Sequence, residues 1–261
     1  MKVDAIWHEG GGQGHRTILL LHGLGATSAV WAGVHQALEQ RRFGRWMAPD
    51  LSGHGQSQWQ PHYSVGQLAA AVADLVAGSP ELFIVGHSLG AYVGLALASG
   101  WFGVRVDGVL GVGPKIVWPE ADLQMTRELA NRPVRFHATQ DDAWTRYRRV
   151  SGLTPEIAAD PVWLARGIVE ANEGWRLSQD PRTFAVAGAP FSALVSSAKA
   201  RIVLVRGERD PMVSTEELRA HCANVEEVEG AGHNVHVEKP DSLVALLEQL
   251  TDPCPTAISG R

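Results

Sequence analysis

The chain has 261 residues, 45% of them hydrophobic and 20% charged, so it can bury the core of one large α/β domain. A formal net charge of -5 and the lack of a long basic run argue against a nucleic-acid-binding surface. The N-terminus lacks a signal-peptide pattern, and no apolar stretch approaches the ~18 residues of a membrane span. We therefore expect a cytoplasmic protein with no membrane span, either a monomer or a homodimer.

The spacing of the cysteines and histidines does not indicate a metal site. The two cysteines, Cys222 and Cys254, are far apart and have no histidine pairing that is typical of zinc. We interpret both as reduced thiols, and none of the 11 histidines has convincing metal spacing. The sequence thus predicts neither a metal nor a cofactor.

Apolar runs with strand character alternate with helical spacing along both ends of the chain. Continuous runs such as residues 17–21 are typical of parallel strands buried on both faces. Ser64 is the expected N-cap of the helix that follows it, and the glycine run at residues 10–14 is predicted to be a flexible turn. The predicted strands are 5–7, 17–21, 45–50, 82–85, 106–112, 201–205 and 226–228, and the helices are 28–38, 65–77, 91–98 and 240–250.

The alternation stops in the middle of the chain. Between about residues 115 and 198 the pattern consists mainly of amphipathic helical segments, predicted at 120–130, 140–150 and 161–172, broken by Pro and Gly. We interpret residues 115–198 as an inserted helical cap. Residues 1–114 and 199–261 then form one core domain around a doubly wound, mostly parallel sheet.

A candidate nucleophile lies at the end of the strand at residues 82–85. Residues 86–90 read Gly-His-Ser-Leu-Gly and fit Gly-x-Ser-x-Gly, in which a serine lies on a strained turn between a strand and a helix. Such a tight turn leaves no room for Cβ atoms beside the serine, which explains the flanking glycines. The pattern predicts Ser88 as the nucleophile.

A serine hydroxyl needs a base that takes its proton, and a carboxylate that orients the base. In this architecture the order is serine, acid, histidine. Asp210 follows a predicted strand, so it should lie at the edge of the sheet where catalytic groups collect. Glu208 is a competitor, but the Asp-Pro turn favours Asp210. For the base we favour His233 over His236, which is expected to pack or to cap a helix.

Acyl transfer also needs hydrogen-bond donors where the carbonyl oxygen becomes negative. One donor is the backbone N–H after the nucleophile, here Leu89. The second comes from the loop after the early strand at residues 17–21, here Leu24. His22 in that loop is expected to act as a hydrogen-bonding brace.

With these loops assigned, the sequence resembles the α/β-hydrolase superfamily, in its single-domain form with a helical cap. The segments that carry the resemblance are 22–25 with Trp31, 50–57, 86–90, 207–210 and 230–233. Haloalkane dehalogenases and epoxide hydrolases of this fold have Asp at the nucleophile position, whereas Ser88 implies acyl chemistry. The loop that begins at Asp50 has no chemistry that we can assign and is expected to shape the wall of the site.

The cap should determine substrate choice. Its candidate substrate-binding residues are Trp118, Trp144, Tyr147 and Trp163, and a core position is an equal alternative for Trp144 and Tyr147. Arg127, Arg146 and Arg149 are candidates for contact with an anionic substrate group, although a solvated helix face is the simpler interpretation.

The sequence therefore predicts a serine hydrolase whose partner is a small-molecule acyl substrate. The substrate would be a small, largely apolar carboxylic ester, lactone or thioester, cleaved through an acyl-enzyme. Two alternatives stay open. One is a carbon–carbon bond hydrolase, lyase or cofactor-free perhydrolase that uses the same triad, and the other is a non-enzymatic small-molecule receptor on the same fold.

Overall fold

The computed structural model describes residues 6–153 and 165–252. Seven strands of the described chain form one sheet, and two form a separate hairpin. In chain order the strands are β1 (His8–Gly11), β2 (Arg16–Leu21), β3 (Arg45–Pro49), β4 (Glu81–His87), β5 (Gly108–Val112), β6 (Ile168–Ala171), β7 (Gly174–Leu177), β8 (Arg201–Gly207) and β9 (Val225–Val228).

The main sheet has the order β1-β3-β2-β4-β5-β8-β9. All its neighbouring strands are parallel except β1, which runs antiparallel to β3 at the edge. Leu21 pairs with Gly86, and Gly207 pairs with Val228. The C-terminal ends of β2, β4, β8 and β9 therefore meet at one edge, where their loops can build a common site. The predicted mostly parallel α/β sheet is confirmed.

Helices pack on both faces of this sheet and also form part of the segment between β5 and β8. They are α1 (Ala32–Gln40), α2 (Val65–Val76), α3 (Leu89–Ala98), α4 (Glu120–Ala130), α5 (Gln140–Val150), α6 (Phe191–Ser197), α7 (Thr215–Arg219), α8 (Val235–Glu238) and α9 (Pro240–Thr251), with 3-10 turns at Ser28–Trp31 and Pro181–Val186. The predicted N-cap of α2 is confirmed, because the Ser64 hydroxyl accepts a hydrogen bond from the Gln67 N–H.

Alternate residues of β2 explain the two helical layers. Leu19 and Leu21 face one core with α2 and α3, whereas Ile18 and Leu20 face the other core with α1 and α9. Side chains alternate across a strand, so a continuous apolar run buries both faces of the sheet. This is the doubly wound arrangement that the sequence predicts.

The segment between β5 and β8 differs in part from the prediction. The helices predicted at 120–130 and 140–150 are confirmed as α4 and α5. The helix predicted at 161–172 is wrong over residues 168–171, which form β6 and pair antiparallel with β7. β-branched Ile168 and Val169 suit a strand, and Ile168 is buried beside Ala143 and Tyr147. These tertiary contacts outweigh the helical spacing.

The N-terminal strand is also shifted from its predicted place. The structure begins β1 at His8, so the strand predicted at 5–7 is wrong for Ile6 and Trp7, and Ala5 lies outside the described residues. Gly10 and Gly11, predicted to lie in a flexible turn, belong to this edge strand instead. A Cβ at Gly11 would lie 2.8 Å from the Trp46 ring, so the indole on neighbouring β3 occupies the space of the missing side chain.

No helix in residues 6–153 or 165–252 has the length and apolar character needed to span a membrane. Cys222 is a half-buried free thiol, and Cys254 lies outside the described residues.

Candidate active site

The turn between β4 and α3 holds Ser88 in an unusual backbone conformation. Its φ is 49° and its ψ is -110°, and positive φ is uncommon for a residue with a side chain. A Cβ at Gly86 would lie 2.3 Å from the Gly90 oxygen, and one at Gly90 would lie 2.0 Å from the Leu21 oxygen. The two flanking glycines are therefore required, because strand and helix backbones touch at this turn. Strain of this kind concentrates at functional sites.

The loop after β8 places Asp210 against His233. One carboxylate oxygen of Asp210, Oδ2, lies 2.9 Å from His233 Nδ1, and the other accepts a hydrogen bond of 2.8 Å from the Met212 N–H. Asp210 is buried. Glu208, the competitor in the sequence, is exposed and accepts a hydrogen bond from the Gly230 N–H instead. The structure thus brings together the acid and the base that the sequence selects.

Backbone contacts fix the loop that carries His233. The Gly232 N–H donates to Glu238 Oε2 at 2.8 Å, and the Asn234 side chain donates to the Gly152 carbonyl at 2.6 Å. A Cβ at Gly207 would lie 2.1 Å from the Gly232 oxygen, so β8 and this loop are in close contact. His233 therefore lies on a loop held on both sides.

His87, the residue before Ser88, connects the turn to the base. Its Nε2–H donates to the carbonyl of His233 at 3.2 Å, and the two imidazole centroids are 4.6 Å apart. The ring of His87 also lies 4.4 Å from that of His236, which packs on Trp31. Burial holds the pKa of His87 well below its ordinary value and lowers the pKa of His236 to about 3. Both rings are neutral at neutral pH and serve as packing around His233.

A second histidine network supports the loop after β2. His22 Nδ1–H donates to the Gly23 carbonyl at 2.8 Å, and its Nε2 accepts from the Leu51 N–H at 2.9 Å. Burial lowers the pKa of His22 to about 4, so it is a neutral brace. Asp50 accepts hydrogen bonds from the N–H groups of Ser28 and Gln56, at 2.8 Å and 2.9 Å. Asp50 thus braces the turn at Ser28–Trp31 and its own loop, and the residues that line the cavity at Ser88 do not include this loop, which was expected to shape the wall of the site.

Ser88 opens on a cavity of about 40 Å³. Leu24, Leu89 and Trp118 line it, as the sequence predicts, and they are joined by Tyr92, Lys115 and the segment 186–188. In the described chain, neither the Leu24 N–H nor the Leu89 N–H donates a hydrogen bond. Unpaired backbone N–H groups away from water are rare, so this pair at one cavity is notable.

Trp144 and Tyr147, two of the other predicted aromatic residues, do not line this cavity. Trp144 and Tyr147 are buried with Ala29 and Ile168 in a small separate core, where their rings stack at 5.4 Å. They hold the core position that the sequence left open as an alternative. Trp163 lies outside the described residues.

Comparison with known proteins identifies the family. The family model described as "Alpha/beta hydrolase family" matches residues 18–246. The chain belongs to the alpha/beta hydrolase family.

The individual proteins that resemble this alpha/beta hydrolase share either low sequence identity with it or only a short matching segment. An uncharacterized protein of Mycobacterium tuberculosis is 46% identical over 84 residues, which cover 31% of this chain and 24% of that protein. The chain thus matches about a quarter of the length of that relative. Lipase LipV of Mycobacterium tuberculosis is 26% identical over 187 residues, 68% of each chain. The solved structure of a thioesterase domain from the curacin biosynthetic pathway is 22% identical to this chain and has a TM-score of 0.77. The match covers 95% of this chain and 96% of that domain. At this identity the likeness shows the fold alone.

The sequence reasoning missed three side chains of the cavity in this hydrolase. Tyr92 lies four residues after Ser88 at the start of α3, a spacing that places both on one helix face and could have been found. Its hydroxyl donates to the Lys115 carbonyl at 2.5 Å, and Lys115 Nζ pairs with Asp122 and lies 4.7 Å from the Trp118 ring. Lys115 and Val186 carry no such signal, because only the fold brings them to Ser88.

Metal ligation has no candidate site in residues 6–153 and 165–252. No group of three or more His, Cys, Asp or Glu side chains there could hold a metal ion.

Proposed function

We propose that this alpha/beta hydrolase is a serine hydrolase that cleaves a small, largely apolar carboxylic ester, or a related lactone or thioester. The observation that carries the proposal is the 2.9 Å contact between Asp210 and His233, next to the strained turn at Ser88. The similarity to a protein named a lipase, and the likeness in fold to a thioesterase domain, support acyl chemistry.

In the proposed mechanism Ser88 attacks the substrate carbonyl while His233 takes the hydroxyl proton. Asp210 accepts from Nδ1–H of His233, which leaves Nε2 free to act as the base. His233 then returns the proton to the leaving alcohol or thiol, and a water molecule that it activates releases the acid. The Ser88 hydroxyl makes no hydrogen bond within the described chain. In the proposed mechanism the Ser88 side chain rotates when substrate binds, and its hydroxyl then donates to Nε2 of His233.

The free N–H groups of Leu24 and Leu89 are the proposed oxyanion hole. Leu89 is the first residue of α3, so its N–H has no partner within the helix, and the helix dipole adds positive potential. A Cβ at Gly23 would lie 3.3 Å from Ser88 Cβ, so the loop before Leu24 packs directly on the nucleophile. Two fixed donors beside Ser88 suit a tetrahedral oxyanion.

We propose that residues 115–198 act as the cap over this site. Lys115, Trp118 and Val186 from this segment close the cavity above Ser88. Its small volume of about 40 Å³ and its apolar lining by Leu24, Leu89 and Trp118 favour a short acyl chain. The chemistry needs only water as a co-substrate, so we propose no cofactor.

A panel of p-nitrophenyl esters tests this function. The wild type should hydrolyse the butyrate and hexanoate esters, and Ser88→Ala should lower kcat by at least about 10⁴-fold because the nucleophile is absent. Ser192→Ala is the matched control, since Ser192 is exposed at the start of α6. A panel of lactones, thioesters and diketones measured in parallel separates acyl hydrolysis from carbon–carbon bond cleavage. Loss of all turnover with retained ligand binding would favour a receptor.

A further inference from the structure

A second cleft, of about 100 Å³, lies between α4, α5 and the turn at Pro181–Val186. Its walls combine apolar side chains, among them Leu129, Val150 and Phe184, with three arginines. Arg132, Arg135 and Arg146 line this cleft, and Arg149 lines a depression that shares Arg135 and Arg146 with it. We name these four residues the arginine cluster.

Within residues 6–153 and 165–252 the arginine cluster has an excess of positive charge. No carboxylate of the described residues forms an ion pair with any of the four guanidinium groups. Asp142 lines the outer depression and accepts a hydrogen bond from the Thr139 hydroxyl at 2.8 Å, so it sets one negative charge beside the four guanidinium groups. By contrast, Arg127 on α4 pairs with Glu120 at 2.9 Å.

Arg146 is the most constrained member of the cluster. It is half-buried, and burial together with Arg149, Arg135 and Arg132 lowers its pKa. Cations brought together without a partner repel one another, and a bound anion removes this cost. A guanidinium group offers a planar fork of donors that matches a carboxylate or a phosphate.

Helix α5 connects the cluster to the catalytic residues. Val150, which lines the cleft, packs on Gly25 so closely that a Cβ there would lie 2.4 Å from Val150 Cγ1. Gly25 follows Leu24 of the proposed oxyanion hole. Arg146 precedes Val150 by one helical turn, about 6 Å along the axis at ~1.5 Å per residue. Val150 therefore joins the wall of the cleft to the loop that carries Leu24, and Arg146 lies about one helical turn further back along α5.

We propose that the arginine cluster binds the anionic end of the substrate, a carboxylate or phosphate joined by an apolar spacer to the acyl group at Ser88. This inference rests on the proposed function and adds a substrate class to it. The guanidinium groups pair with the anion, and Leu129, Val150 and Phe184 cover the spacer. Esters with a distant negative charge are then preferred over neutral esters of equal length.

Two substrates of equal chain length test the inference. Mono-p-nitrophenyl adipate carries a terminal carboxylate, and p-nitrophenyl hexanoate does not. The double variant Arg146→Gln/Arg149→Gln should raise KM for the adipate at least about 10-fold, the scale of a lost charge-assisted hydrogen bond, and leave kcat and both hexanoate constants within about 2-fold. Arg127→Gln is the matched control and should change neither substrate.

A thioester probe and the comparison of the two esters give further results that test the inference. Hexanoyl-coenzyme A carries its phosphates on the leaving group, so a KM increase with this probe and none with the adipate overturns the inference, because the anion would then lie on the thiol side and not on the acyl side. An equal change for hexanoate and adipate overturns it, because the arginines would then act on the fold. No change with any anionic substrate also overturns it.

Failure of the proposed function can be separated from failure of the inference. If the wild type hydrolyses neither ester, the proposed function is wrong. Calorimetric titration of the wild type with monoethyl adipate then tests the cleft alone. Saturable binding that the double variant loses supports the arginine cluster as an anion site, and equal or no binding in both proteins overturns it.

Discussion

The substitution Asp210→Asn tests the hydrogen-bond geometry of the proposed triad. The Met212 N–H donates to one carboxylate oxygen of Asp210, and His233 Nδ1 lies 2.9 Å from the other. In the variant, the Met212 N–H holds the amide oxygen in place and turns the amide NH₂ toward His233. A donor there forces the imidazole proton onto Nε2, which then cannot accept the Ser88 proton.

The expected cost follows from this change of tautomer. Wrong-tautomer variants of serine–histidine–aspartate triads lose about 10⁴-fold in kcat, or about 5 kcal/mol at ~1.36 kcal/mol per factor of ten. The assay is kcat for p-nitrophenyl butyrate at pH 7.5, with thermal unfolding as a check of the fold. Glu208→Gln, a carboxylate change two residues away, is the control and should keep near wild-type activity. A folded Asp210→Asn protein within 10-fold of wild-type kcat would refute the reasoning.

Three further predictions concern the turn, a buried histidine and the cavity. Gly90→Ala places a Cβ 2.0 Å from the Leu21 oxygen and should prevent stable folding in urea titrations, whereas Gly66→Ala, whose nearest neighbour is 4.0 Å away, should be tolerated. His236 has a folded pKa of about 3, below its ordinary 6.5, so its contribution to stability is present above pH 6.5 and is lost as pH falls. Between pH 6.5 and pH 5 the free energy of unfolding of His236→Leu should therefore fall by about 2 kcal/mol less than that of the wild type. If the two proteins lose the same free energy of unfolding over this range, the result would contradict this. Trp118→Ala should enlarge the cavity and raise the octanoate-to-butyrate ratio of kcat/KM at least about 10-fold, and an unchanged ratio would place Trp118 outside the acyl site.

Local patterns made the sheet and its loops predictable. A tight turn between strand and helix demands glycines beside the serine, so the positions around Ser88 are visible in the sequence. Asp210 and His233 follow short β-rich runs, and parallel strands bring such loops to one edge. These inferences depend on spacing along the chain, on the geometry of a parallel sheet, and on the order serine, acid, histidine that the resemblance to α/β hydrolases implies.

Features that depend on distant contacts could not be predicted. Trp144 and Tyr147 have the spacing of either pocket or core residues, and only their packing beside Ile168 shows that they are core. The same packing draws Ile168 into β6, where the helical pattern predicted α-helix. Lys115 and Val186 reach the cavity because the chain folds back over Ser88, which no local pattern encodes.

The arginine cluster shows the same limit for function. Arg146 and Arg149 were visible in the sequence as a possible anion contact, as was Arg127. Separating them required the structure, in which Arg127 pairs with Glu120 and Arg146 lines an apolar cleft. Charge on a helix acquires a functional meaning only when its partners are known.

The central claim is that Ser88 is the nucleophile. The most direct measurement is peptide mass spectrometry after treatment with a fluorophosphonate probe, which labels activated serines. We predict one adduct per chain on the peptide that contains Ser88, and none in Ser88→Ala or after heat denaturation. Labelling that persists in folded Ser88→Ala, or that maps to another serine in the wild type, would contradict the account.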